Sequence, residues 1–98
     1  MTTYYTGNIK NRKVYITKPG ATSFLSEGKP FTWGGDEDGS NVDLARALIE
    51  HATGKPLDNM TVLGRYTTRE VAKWPRHDPF TTTAERIVQL VEQYGAEP

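Results

Sequence analysis

Cysteine is absent from this chain, which excludes disulfides, thiolate metal sites and thiol nucleophiles. No apolar run approaches the length that spans a bilayer, and Met1 to Asn8 lack the apolar stretch of a signal peptide. The expectation is a cytoplasmic protein, inside a host cell, with no membrane partner. Net charge is missing as well: twelve Lys and Arg offset twelve Asp and Glu, so no global field draws the protein to nucleic acid or anionic lipid. There is no acidic or basic tail, internal repeat or low-complexity tract. Apolar residues are sparse at 36%, and aromatics make up the difference, with two Trp, five Tyr and three Phe, each able to bury a large area. The 98 residues predict one domain over 1–98 with a core of its own.

Residues 3–18 read as a hairpin, because Tyr4-Tyr5-Thr6 and Val14-Tyr15-Ile16-Thr17 combine β-branched and aromatic side chains around turn formers. Val14 and Ile16 point to the core, and Lys18-Pro19-Gly20 breaks the strand. Phe24-Leu25 is open between a short strand and an ordered loop. Phe31-Thr32-Trp33 predicts a further strand, with Phe31 and Trp33 on one face by the period of two.

Helical periodicity begins afterwards. Ala45, Leu48, Ile49 and Ala52 share a face of a helix over 41–53, capped at Ser40 or Asn41 and stopped by Gly54 and Pro56. Residues 57–74 have two readings, strand or helix. The stripe Met60, Leu63, Thr67, Val71 and Trp74 favours a helix over about 59–74, with a break near Gly64 and an end before Pro75. Thr82 or Thr83 caps a last helix, with Thr82 and Glu85 at capping-box spacing. Its buried face is Ile87, Leu90, Val91 and Tyr94, and Gly95 stops it. The order β-β-(β)-β-α-α-α predicts an α+β fold, a small antiparallel sheet from the N-terminal third followed by three helices packed on one face.

Short pieces along nearly the whole chain carry a resemblance: Tyr5 and Gly7, Phe31, Trp33 and Gly34, Gly39-Ser40, then Leu44-Ala45-x-Ala47-Leu48-Ile49. Glu70-Val71-Ala72-x-Trp74-Pro75 and Phe80-x-x-Thr83 extend it. The chain resembles an uncharacterised small-domain family of bacteria, phages and plasmids, with a Phe-x-Trp-Gly…Gly-Ser turn followed by a Leu-Ala-x-Ala-Leu-Leu helix. The resemblance implies a shared fold and a phage or mobile-element setting, and it implies no activity. Where that family's turn is rich in glycine and near neutral, this chain inserts Asp36-Glu37-Asp38.

The turn from Gly34 to Ser40 lacks the spacing of a phosphate loop, and its three acids repel phosphate. Asp36-x-Asp38-x-Ser40 opens like a calcium loop, but Asn41 stands where Gly is wanted and Ala47 where Glu is wanted. What remains is an acidic turn, Asp36, Glu37, Asp38 and Asp43, as a candidate partner-binding surface. The second candidate is a basic ridge. Arg65, Arg69, Lys73 and Arg76 follow helical spacing with Tyr66 beside them for stacking, a pattern able to grip phosphates or an acidic protein. The plain alternative is the solvated face of an amphipathic helix. His51 and His77 are too few for a zinc site or a triad, so no catalytic residue, metal or cofactor is expected. Trp33 and Trp74 are expected to anchor the core where sheet meets helices, an exposed Trp33 being instead a binding hot spot. The function expected is a non-enzymatic protein-binding module of a phage or mobile element that modulates or inhibits a host defence or replication protein. The alternative is a nucleic-acid or nucleotide binder using residues 65–76.

Overall fold

The computed structural model describes residues 2–35 and 39–98. Strands β1 (Tyr4–Gly7), β2 (Val14–Lys18), β3 (Ala21–Phe24) and β4 (Thr81–Thr83) form one sheet in the order β3-β2-β1-β4, every neighbouring pair antiparallel. Helices α1 (Gly39–Thr53), α2 (Met60–Arg69) and α3 (Ala84–Ala96) pack on one another. The fold is α+β, with an antiparallel sheet and three helices.

The hairpin forms as its sequence requires. Gly7 pairs with Val14 and Tyr5 with Ile16, so the period of two puts Tyr5, Val14 and Ile16 on the buried face. Asn8 and Asn11 build the loop between the strands. The Oδ1 of Asn8 accepts from the Lys10 amide at 2.8 Å, and that of Asn11 from the Lys13 amide at 2.9 Å, the local side-chain bonding that suits Asn to turns. Against the sheet lie Leu44, Ala45, Leu48 and Ile49 of α1, Val62, Leu63 and Tyr66 of α2, and Ile87, Leu90 and Tyr94 of α3.

The structure corrects the sequence reading in four places. Phe31-Thr32-Trp33 is not a strand. The Phe31 amide donates to Arg12 O at 2.7 Å, and Gly34 and Gly35 donate to Val71 O and Ala72 O at 3.0 and 3.2 Å. The segment is therefore stitched between the hairpin loop and a 3-10 turn at Val71–Lys73 instead of lying in a ladder, although Phe31 and Trp33 are both buried. The remaining strand is Thr81–Thr83, so strands do not all precede helices. The second helix does not reach Trp74, and it breaks at Glu70 and not at Gly64. Its buried stripe is Val62, Leu63 and Tyr66, and Met60 is 54% exposed.

The caps differ too. Helix α1 already includes Gly39, and Asn41 lies inside it, buried, donating from Nδ2 to Gly35 O at 2.6 Å. For α3, Thr83 is the one of the two expected caps that is used, its Oγ1 accepting from the Arg86 amide at 3.1 Å, so Thr82 and Glu85 form no capping box. Asn59 caps α2 by accepting from the Val62 amide at 3.1 Å.

Gly34 sits where only glycine fits. Its φ is +78°, and an added Cβ would lie 2.5 Å from Trp74 O and 2.7 Å from the Arg76 amide nitrogen, both backbone atoms. Gly54 shares the left-handed backbone, with a φ of +75°, but has open space around it. Gly54→Ala is therefore expected to cost about 1–2 kcal/mol, the left-handed penalty alone. Gly34→Ala adds a backbone overlap and is expected to cost about 3 kcal/mol or more. Thermal unfolding of the two variants checks the ranking, and equal losses would show that the 31–35 segment is not held against the loop at 74–76.

Candidate binding surface

Of the acidic candidates, Asp36, Glu37 and Asp38 lie outside the described residues. Asp43 is exposed on α1, with Oδ2 3.8 Å from Lys29 Nζ.

The basic candidates do not form one ridge. Arg65 donates from Nη1 to Tyr94 O at 2.6 Å and from Nη2 to Pro98 O at 3.2 Å. Arg69 pairs with Glu97 at 2.6 Å and lies over the Tyr94 ring at 5.1 Å. Each supports the other's charged form, so the Arg69 pKa is raised and that of Glu97 lowered, chiefly by this hydrogen bond. Arg65 and Arg69 thus hold down the end of α3, whose last carbonyls have no helical acceptor role of their own. Lys73 and Arg76 fall beyond the break at Glu70, and Arg76 turns to Gly34 O at 3.5 Å. Tyr66 is 0% exposed and cannot stack on a base. Burial also raises its pKa.

A different surface stands open. The face of the sheet away from the helices carries two cross-strand rows. One is Thr83, Tyr4, Thr17 and Thr22; the other is Thr81, Thr6, Tyr15 and Phe24. Tyr4 is 46% exposed and Phe24 44% exposed, and all four residues of β3 are exposed at the edge. Tyr15 is held in place, its ring 4.9 Å from that of Phe24 and its hydroxyl accepting from Asn11 Nδ2 at 3.0 Å. Lys13 Nζ lies 5.2 Å from the centre of the Phe24 ring.

Two shallow depressions mark this face, each about 280 Å³. One is lined by Thr6, Ile9, Lys10 and Tyr15. The other is lined by Tyr4, Thr17, Lys18 and Pro19. Lys10 stands beside Tyr15, whereas Lys18 is in phase with Val14 and Ile16 and its charge acts on His51 on the helix side. Thr2, beside Tyr4, donates to Glu85 Oε1 at 3.4 Å. No acid occurs in the chain before Glu27, and none occurs in β4. Among the described residues Lys10, Lys13 and Lys18 have no carboxylate within ion-pair distance. The nearest acids in sequence to the sheet, Glu27 and Glu85, lie past its two edge strands.

Sequence reasoning missed this surface because it sought a charged helix. The signal available was the alternation Tyr4, Thr6 and Tyr15, Thr17, the residues left over once Val14 and Ile16 are assigned to the core.

Two further groupings belong to the interior. The Arg12 guanidinium lies 3.8 Å from the centre of the Trp33 ring, and Trp33 meets Phe80 edge-on at 4.9 Å. Phe80 stacks on Trp74 at 4.3 Å. Both tryptophans thus serve the core. The Tyr5 hydroxyl shares a 2.7 Å hydrogen bond with His51 Nδ1, and burial pushes the Tyr5 pKa up to about 12. Among the described residues no three His, Asp or Glu side chains come together as metal ligands, and no helix is long and apolar enough to cross a membrane. No family model, curated protein or solved structure matches the chain.

His51 titrates below the ordinary 6.5, through burial first and the nearby Lys18 charge second. Unfolding therefore takes up a proton between the folded and unfolded values. Its contribution to stability is complete above about pH 6.5 and declines as the pH falls through the folded value. The melting temperature is expected to drop on acidification through this window, and less so in His51→Gln. A variant with the same pH profile as the parent would assign the acid sensitivity elsewhere.

Proposed function

We propose that this chain is a non-enzymatic binding module whose docking surface is the open face of the sheet and whose partner is an anionic macromolecule. The observation that supports this reading is the composition of one end of that face, where the Tyr15 and Phe24 rings lie beside Lys10 and Lys13, neither lysine having a carboxylate within ion-pair distance among the described residues. Long-range attraction to an anion needs a local field of one sign, which a chain of zero net charge can still present on one side.

Catalysis has less to draw on. The one hydrogen bond between a tyrosine and a histidine is made by a tyrosine that is fully buried, so substrate does not reach its hydroxyl. Both partner classes expected from the sequence, a host protein bound in a phage or mobile-element setting and a nucleic acid, satisfy the charge requirement if the protein surface is acidic. The surface they would use differs from the basic ridge, since Arg65 and Arg69 already hold the end of α3, and an anionic partner would not seek the acidic turn.

Heparin, a polyanion, tests the surface without presuming the partner. The parent is expected to be retained, and the double variant K10E/K13E to elute in the flow-through with an unchanged circular dichroism spectrum. Arg69→Glu should leave retention in place and lower the melting temperature. Retention lost on Arg69→Glu but kept in the double variant would move the binding surface to the helical side and refute this reading.

A further inference from the structure

We propose that Met60 is a site of reversible oxidation, and that its sulfoxide is held by Arg46 and tightens the corner between α1 and α2.

The chain has two methionines, Met1 and Met60. Met60 opens α2 and is 54% exposed, so its thioether meets dissolved oxidants directly. It takes no part in the buried core. Oxidation of a buried methionine sets a polar oxygen among apolar atoms and loosens the packing. At Met60 that cost does not arise, and the neighbour of the new oxygen decides the outcome.

That neighbour is a cation already in place. Arg46 donates from Nη2 to Met60 Sδ at 3.7 Å. Its other terminal nitrogen, Nη1, donates to Leu57 O at 3.1 Å and lies 3.6 Å from a Glu50 carboxylate oxygen. Glu50 in turn accepts from the Leu57 amide at 2.9 Å. These bonds fasten the connection between the two helices to α1 and hold the guanidinium beside the sulfur. A thioether sulfur is a weak acceptor. A sulfoxide oxygen carries far more negative charge, and hydrogen bonds from a charged donor are the strong ones. The free amides in the first turn of α2 favour negative charge at the same place.

The oxidation needs a two-electron oxidant of the peroxide class. A sulfur lone pair attacks one oxygen of hydrogen peroxide, the O–O bond breaks and an S–O bond forms. Sulfur gives up two electrons, and the departing oxygen keeps both protons of the peroxide and leaves as water. Methionine sulfoxide reductases reverse the change at the expense of thiols. In the oxidised chain Arg46 then spans Leu57, Glu50 and the sulfoxide, so α2 is joined more firmly to α1.

The test treats the parent, Met60→Leu and Arg46→Ala with hydrogen peroxide at a dose that converts free methionine. Peptide mass mapping locates the added oxygen, and melting temperatures are compared before and after. The parent is expected to gain one oxygen at Met60 and to melt about 1–4 °C higher, and a sulfoxide reductase should return it to its starting value. Met60→Leu, open to oxidation only at Met1, should show no shift. In Arg46→Ala the sulfoxide has lost its cation, and oxidation should leave the melting temperature unchanged or lower it. The Arg46 side-chain N–H resonances of the parent, followed by NMR, should move on oxidation, a readout that does not depend on how well the alanine variant folds. An unoxidised Met60, a parent that melts no higher after oxidation, or Arg46 resonances indifferent to it would overturn the proposal.

Discussion

The indole of Trp33 is covered on one face by the Arg12 guanidinium and met at its edge by Phe80, while its Nε1 donates to Asp78 O at 2.9 Å. Three stretches distant in sequence meet at that ring: the hairpin loop, the 31–35 segment and the return loop before α3. Arg12 adds a bond from Nη1 to Arg76 O at 2.9 Å, which ties the first of these to the third. Only with this junction in place does Phe80 reach the hairpin, where its carbonyl accepts from the Gly7 amide at 2.9 Å. That bond delivers Thr81–Thr83 alongside β1. The fourth strand, and so the width of the sheet, depends on how Trp33 is held. Gly7 has no side chain because Phe80 and Trp33 occupy the space a Cβ would need.

Local chemistry explains which parts of the fold were legible in the sequence. The hairpin, α1 and α3 were readable because their periodicities are clean and Asn8, Asn11, Gly54 and Thr83 stand where turns and caps want them, although α3 runs through Gly95 to Ala96 and is not stopped there. The strand Thr81–Thr83 was not. Three consecutive threonines also suit a helix cap, and pairing across more than seventy residues leaves no local trace. For α2 the error was one of phase. Reading the stripe from Met60 through Leu63 and Thr67 placed Tyr66 on the solvent side, whereas the buried stripe runs through Val62, Leu63 and Tyr66. A short helix with threonines on several sides supports more than one apolar line, and tertiary packing chose between them. The basic ridge failed with it, since helical spacing from Arg65 to Arg76 has no meaning across the break at Glu70.

The cations then divide by location. On the helical side Arg46 meets Glu50 at 3.6 Å, Arg69 meets Glu97 at 2.6 Å and Arg86 meets Glu70 at 3.2 Å. Arg65 is held by carbonyls. These pairs are exposed or partly so and add little stability each. Lys10 and Lys13 at the hairpin loop have no such partners among the described residues, and neither do Lys55 and Lys73. The arginines of the helices are thus engaged where these lysines are not.

The same division accounts for the threonines. A sheet face awaiting another layer of the same chain would carry Val or Ile at the positions of Thr6, Thr17, Thr22 and Thr83, as Val14 and Ile16 do on the buried side. Threonine keeps the β-branched shape that favours a strand and adds a hydroxyl that tolerates water. Such a face is stable bare, and its rings serve it unequally. Phe24 forms a cross-strand pair with Tyr15 at 4.9 Å and carries Lys13 over its ring, contacts that steady the β3 edge. Tyr4, 46% exposed and flanked in its rows by threonines, is the ring for which the sheet supplies no aromatic neighbour.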